Sequence, residues 1–159
     1  MTSFDSGTPA SPALQVIAVE GIPNIQAGDD LPQMIVDRCA RLSWPDGSFG
    51  LASGDVVVVT SKVVSKSEGR VVAAASRDDL IDSESIRTLA TKVTGKNTTR
   101  IVETPHGLVM AAAGIDASNI ETGFVVLLPT DPDASASRLR TSRPACRTRQ
   151  EKLRTQRCT

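Results

Sequence analysis

Three polar clusters and one histidine hold the residues whose types and spacing could do chemistry. The richest is Thr60-Ser-Lys-Val-Val-Ser-Lys-Ser-Glu-Gly69, with hydroxyls, two lysines and a carboxylate inside ten residues. Lys62 and Lys66 stand four apart, so on a helix they share a face and can meet polyphosphate as point charges. In an exposed turn they would be ordinary surface lysines, which spacing alone favours. The Gly-x4-Gly-Lys-Ser/Thr pattern of a P-loop is absent. Gly114-Ile-Asp-Ala-Ser-Asn119 sets Asp116 and Asn119 on one loop, a carboxylate suited to Mg²⁺ or Mn²⁺ beside an amide able to orient a phosphate. An Asx-turn, in which such side chains bond only neighbouring amides, explains the same residues. Gly21-Ile-Pro-Asn24 forms the third cluster, and His106, the only histidine, lies between Pro105 and Gly107 as a surface residue or a base.

These clusters need elements to position them. Leu14–Glu20 is short and β-branched, a strand ended by Gly21-Ile-Pro-Asn24. Asp29 or Asp30 caps a helix with Pro32 in its first turn, and Ile35, Cys39 and Leu42 recur on one face, so Cys39 is core packing. After a connection from Trp44 to Gly54, Asp55–Thr60 is a continuous apolar run, expected of a strand buried on both faces. Val71–Ala75 is open between strand and helix start. Ile86, Leu89, Ala90 and Val93 form a stripe that predicts a helix over 82–94 ended by Gly95. Strand-like pieces follow at 99–103, 107–112 and 123–128, and Asp131-Pro132 opens a short helix. The expectation is an α+β fold, about six strands in a mixed sheet with two or three helices.

The whole chain has 159 residues, 18 basic and 18 acidic side chains and three cysteines. That length allows one core. Residues 1–13 lack an apolar period and are expected to form a loose tail, leaving the domain at 14–140. Over 141–159, six basic residues stand against Glu151, a net charge of +5; the other twelve basic and seventeen acidic residues give 1–140 a charge of −5. A solvated basic tail is the plain reading of 141–159, and contact with RNA or anionic lipid the functional one. The neutral total argues against a uniformly basic nucleic-acid binder, and no apolar run approaches the ~18 residues of a membrane span. No leader pattern precedes the first strand, which makes the cytoplasm the expected compartment. Cys39, Cys146 and Cys158 lack metal-site or disulfide-scaffold spacing and are expected as free thiols.

Taken together, VEGIPNIQAGDDL, GDVVVVTSKVVSKSEGRVV, TRIVETPHGLVMAAAGIDASNI and LLPTDPDASASRLR resemble, in that order, the coenzyme F-420-0:L-glutamate ligase (gamma-glutamyl ligase) family. The resemblance covers Val16 to Arg140. It implies a gamma-glutamyl ligase-like fold, here incomplete, and a reaction that attaches L-glutamate to F-420-0 with GTP, Mg²⁺ or Mn²⁺, and K⁺. By resemblance, the precursor carboxylate attacks the γ-phosphate and glutamate's amine then attacks the acyl phosphate. Ile22, Pro23, Asn24, Ile25, Ser61, Lys66 and Asn119 fall at the family's GTP-contacting positions, and Asp116 at a metal position. The resemblance also implies a homodimer, with neither nucleic acid nor membrane as partner.

Family members continue past the helix at 131–140 into a strand, an Asp-Thr pair with further metal ligands, and a long C-terminal part. Here SASRLR gives way to Arg/Thr/Cys text, which leads us to expect a truncated or frame-shifted product. On this reading no catalytic set is complete and the chain is inactive; alternatively it binds GTP without turnover, or is a fragment without function.

Overall fold

The structure is a computed structural model and describes residues 14–142 apart from 75, 76 and 96. The loose tail expected at 1–13 and the basic segment from residue 143 onward, with Cys146 and Cys158, lie outside the described residues. The elements are helices α1 (Leu31–Cys39), α2 (Ser61–Ser67), α3 (Arg77–Ser83) and α4 (Pro132–Thr141), and strands β1 (Val71–Ala73), β2 (Arg87–Thr94), β3 (Asn97–Glu103), β4 (Val109–Ala111) and β5 (Phe124–Val126). The α+β class is as expected. Among the described residues, however, strands form two small antiparallel sheets, β1-β5 and β2-β3-β4, in place of one mixed sheet.

Two helices start where their caps direct. The Asp30 side chain accepts from Gln33 N at the head of α1, and Asp131 accepts from Ala134 N at the head of α4. On α1, Leu31, Ile35 and Cys39 are buried. They join Ile25 and Val64 in one apolar cluster, and burial pushes the Cys39 thiol up from its ordinary value. A second cluster gathers Ile81, Val102, Ala112, Ala113, Ile115, Val125 and Leu127.

Three local expectations are overturned. Residues 87–94, expected in a helix, form β2, paired with β3 through Arg87↔Glu103 to Thr94↔Asn97. The stripe from Ile86 to Val93 fits helical spacing, but Thr88, Thr91, Val93 and Thr94 are β-branched, and the β3 ladder gives their backbone its partners. The helix of this region is α3, immediately before. Residues 55–60 form no ladder: Val56 and Val58 are 84% and 83% exposed, while Val59 packs on the first cluster. Residues 14–20 likewise lack a ladder, with Leu14 and Val16 exposed and Val19 packed on that cluster. β-branched composition favours extended backbone, but a strand exists only where a neighbour supplies hydrogen bonds.

Candidate functional site

The lysine-bearing segment is helical, so Lys62 and Lys66 share one face of α2. Gly69 ends this helix. At φ +71, Gly69 adopts the left-handed conformation that lets Gly69 N donate to Lys66 O at 3.1 Å and Arg70 N to Ser65 O at 2.8 Å, a Schellman stop. The chain turns directly into β1, which pairs with β5, and Leu127 N then donates to Arg70 O at 3.0 Å. Val126 of β5 in turn bridges Asp116, exchanging hydrogen bonds of 2.7 and 3.0 Å. A continuous backbone path from α2 through both strands thereby sets the 114–119 loop against the lysine face.

Before that loop the chain makes a left-handed turn, with Ala112, Ala113 and Gly114 at φ 48, 54 and 71. Both alanines are buried. Asn119 is also left-handed, at φ 54. Asp116 Oδ1 accepts from Ser118 N at 2.7 Å, so the Asx-turn foreseen for this loop is present. The other carboxylate oxygen, Oδ2, lies 2.5 Å from Lys62 Nζ. That ammonium also donates to the Ser118 carbonyl and hydroxyl, each at 3.0 Å. The Lys62 hydrogen bond, followed by those from Ser118, holds the Asp116 carboxyl well below the usual carboxylate range.

Opposite, the 21–29 loop is fastened to α2 by Gly28 N donating to Ser67 O at 3.0 Å and by burial of Ile25 beside Val64. Lys66 Nζ donates to Asn24 Oδ1 at 3.3 Å. Between these loops lies a cleft of about 590 Å³. Of the expected nucleotide positions, Asn24, Ile25, Lys66 and Asn119 line it. Ile25 is 6% exposed, so its side chain is mainly core. Ile22, Pro23 and Ser61 are not among the lining residues: Ile22 packs on the α1 cluster, and Pro23 and Ser61 are exposed.

The cleft also takes in Gln26, Ile120 and Glu121, which sequence reasoning did not single out. Their adjacency to Asn24 and Asn119 was the available signal. Glu68, the carboxylate of the lysine cluster, faces elsewhere: it accepts from Thr130 N at 2.8 Å and from Ser135 Oγ at 2.6 Å, tying α2 to α4. His106 is outside the cleft lining; its Nε2 donates to the Thr130 carbonyl at 3.1 Å, while Nδ1 is buried without a partner. Among the described residues no three His, Cys, Asp or Glu side chains group to hold a metal. No helix among them is long and apolar enough to cross a membrane.

The chain is 33% identical over 145 residues to a coenzyme F420:L-glutamate ligase of Methanothermobacter thermautotrophicus, covering 79% of this chain and 54% of that protein. It is 36% identical over 139 residues to the protein of that name from Methanosarcina barkeri, covering 79% and 51%, and 35% over 145 residues to that of Archaeoglobus fulgidus, covering 80% and 53%. The chain thus spans about half the length of these relatives. The profile of the F420-0:Gamma-glutamyl ligase family matches residues 21–145, and the chain belongs to that family.

Proposed function

We propose that this chain carries the nucleotide-binding part of a GTP-dependent ligase that joins L-glutamate to coenzyme F-420-0 during cofactor biosynthesis. One observation carries the reading: Asn24, Lys66 and Asn119, from three separate segments, line a single cleft, with Asp116 on the same loop as Asn119. Lys66 supplies a compact cationic charge for phosphate, and the two asparagine amides offer donors and acceptors that orient it. In the reaction, a carboxylate oxygen of the precursor bonds to the γ-phosphorus as the bond to GDP breaks. The amine of glutamate then attacks the acyl carbon, phosphate departs with the C–O electron pair, and the amine loses its proton.

The oxygens around Asp116 suit Mg²⁺ or Mn²⁺, since a carboxylate, a carbonyl and a hydroxyl already surround one cationic group there. A divalent ion held by Asp116 supplies charge neutralisation of the transferring phosphoryl group. With one protein carboxylate, the rest of its coordination shell falls to water or to substrate oxygens. K⁺ is given no residue. The homodimer of the family reading and the cytoplasmic location expected from the sequence belong to the same proposal.

Titration calorimetry of the 159-residue chain with GTP and Mn²⁺ tests it. We expect a binding heat that Lys66→Ala weakens roughly tenfold, as for loss of a charge-assisted hydrogen bond; absence of any GTP heat overturns the nucleotide reading. A second reading, nucleotide binding without turnover, rests on Asn24, Lys66 and Asn119 lining the cleft while Asp116 is the single carboxylate assigned to a metal. Mass spectrometry after incubation with GTP, Mn²⁺, L-glutamate and F-420-0 separates the two, because only the ligase yields a glutamylated product.

A further inference from the structure

Lys62 is outside the family's nucleotide positions and outside the cleft lining, yet its ammonium has three oxygen neighbours: Asp116 Oδ2 at 2.5 Å and the Ser118 carbonyl and hydroxyl at 3.0 Å. A carboxylate oxygen and two neutral oxygens are also what a hard divalent cation seeks. An ammonium and a divalent ion cannot share them, because like charges at such separations repel. We propose that Lys62 is a resident cation of the Asp116–Ser118 loop which a divalent metal displaces, so that Lys62 sets the metal affinity of the site.

This inference rests on the reading of Asp116 as a metal ligand. Exchange at this place is physically accessible, since the Lys62 and Asp116 side chains are 29% and 41% exposed and the released ammonium returns to water, not to an apolar interior. Its position one helical turn from Lys66 leaves the released charge on the lysine face of α2. A lysine that merely braces the loop behaves in the opposite way, because its removal loosens the oxygens and weakens any metal bound there. Lys62 is thus a positioning residue whose loss raises affinity if it competes and lowers affinity if it only supports.

Binding of Mn²⁺ to the 159-residue chain, followed by loss of the free-ion electron paramagnetic resonance signal, decides between them. We expect Lys62→Met to bind Mn²⁺ on the order of three- to tenfold more tightly than wild type, the range set by an exposed ion pair plus the removed repulsion. Equal or weaker binding overturns the proposal. Asp116→Asn in the Lys62→Met background is expected to abolish the gain. If it does not, Asp116 is not the ligand and the metal reading itself falls; if Asp116→Asn removes Mn²⁺ binding while Lys62→Met matches wild type, only the competition falls. Should Lys62→Met fail to fold, amine labelling of the wild-type chain provides the readout: saturating Mg²⁺ is expected to raise acetylation of Lys62 relative to Lys66. An unchanged ratio at Mg²⁺ concentrations that displace bound Mn²⁺ overturns the proposal, and absence of Mn²⁺ binding in every variant overturns it together with the metal reading.

Discussion

Lys66 and Asn24 are 42 positions apart and Lys62 and Ser118 are 56 apart, yet both pairs are in hydrogen-bond contact. The types of these residues were legible in the sequence, and so was the i,i+4 relation of the two lysines. Their partners were not, because nothing local to α2 reports which loop a return strand will bring against it. Asp116 shows what this means energetically. Its folded-state carboxyl is held below the ordinary value of 3.8, first by Lys62 and then by Ser118. A lowered value adds stability that is fully present above the ordinary value and is lost as pH falls through the folded one. We therefore expect Asp116→Asn to lower stability by a few tenths of a kcal/mol at neutral pH, as for a solvent-exposed pair. The difference from wild type should be flat at neutral pH and shrink once the pH drops below about 4, which thermal melts followed by circular dichroism will show.

At the scale of elements, two junctions carry the site. The first is the left-handed turn at 112–114, where a Cβ on Gly114 would lie 3.1 Å from Leu128 Cδ2 and from Met110. With φ +71 as well, Gly114→Ala is expected to destabilise the chain by about 1–3 kcal/mol, read from the urea midpoint, and to weaken whatever binds at Asp116 and Asn119. The second junction is Glu68, whose two oxygens accept from Thr130 N and Ser135 Oγ, with Arg138 3.8 Å away. Ser135 is 5% exposed, so Glu68→Ala leaves a buried hydroxyl without its acceptor, and a loss of roughly 1–3 kcal/mol is expected. Fluorescence or calorimetric unfolding should show a smaller loss for Ser135→Ala, which leaves Glu68 with the Thr130 amide. Helices with side-chain caps, α1 and α4, were readable because Asp30 and Asp131 act on the next few residues. The β2 hairpin was not: its apolar spacing suits a helix, and only the β3 partner decides otherwise.

At the scale of the whole molecule, apolar side chains stay in the open at several places among the described residues, including Leu14 and Val16, Val56 and Val58, and Ile86 and Val93. Exposed β-branched segments with unpaired backbone are surfaces for association. The 159-residue chain is expected to self-associate with rising concentration in light scattering coupled to size exclusion, and Val56→Thr with Val58→Thr should reduce it. The charge of +5 after residue 140 and −5 before it was readable by counting, since charge is additive along a chain. The sequence by itself determined the α+β class, the cap-directed helices, the membership signalled by its ordered motifs and the residue types of the site. Only the tertiary structure decided that Val56–Val58 would lie exposed, that 87–94 would pair as a strand, and that Lys62 would meet Asp116. Caps and charges act within a few residues or simply add, whereas ladders, burial and ion pairs require a partner that chain folding alone brings into reach.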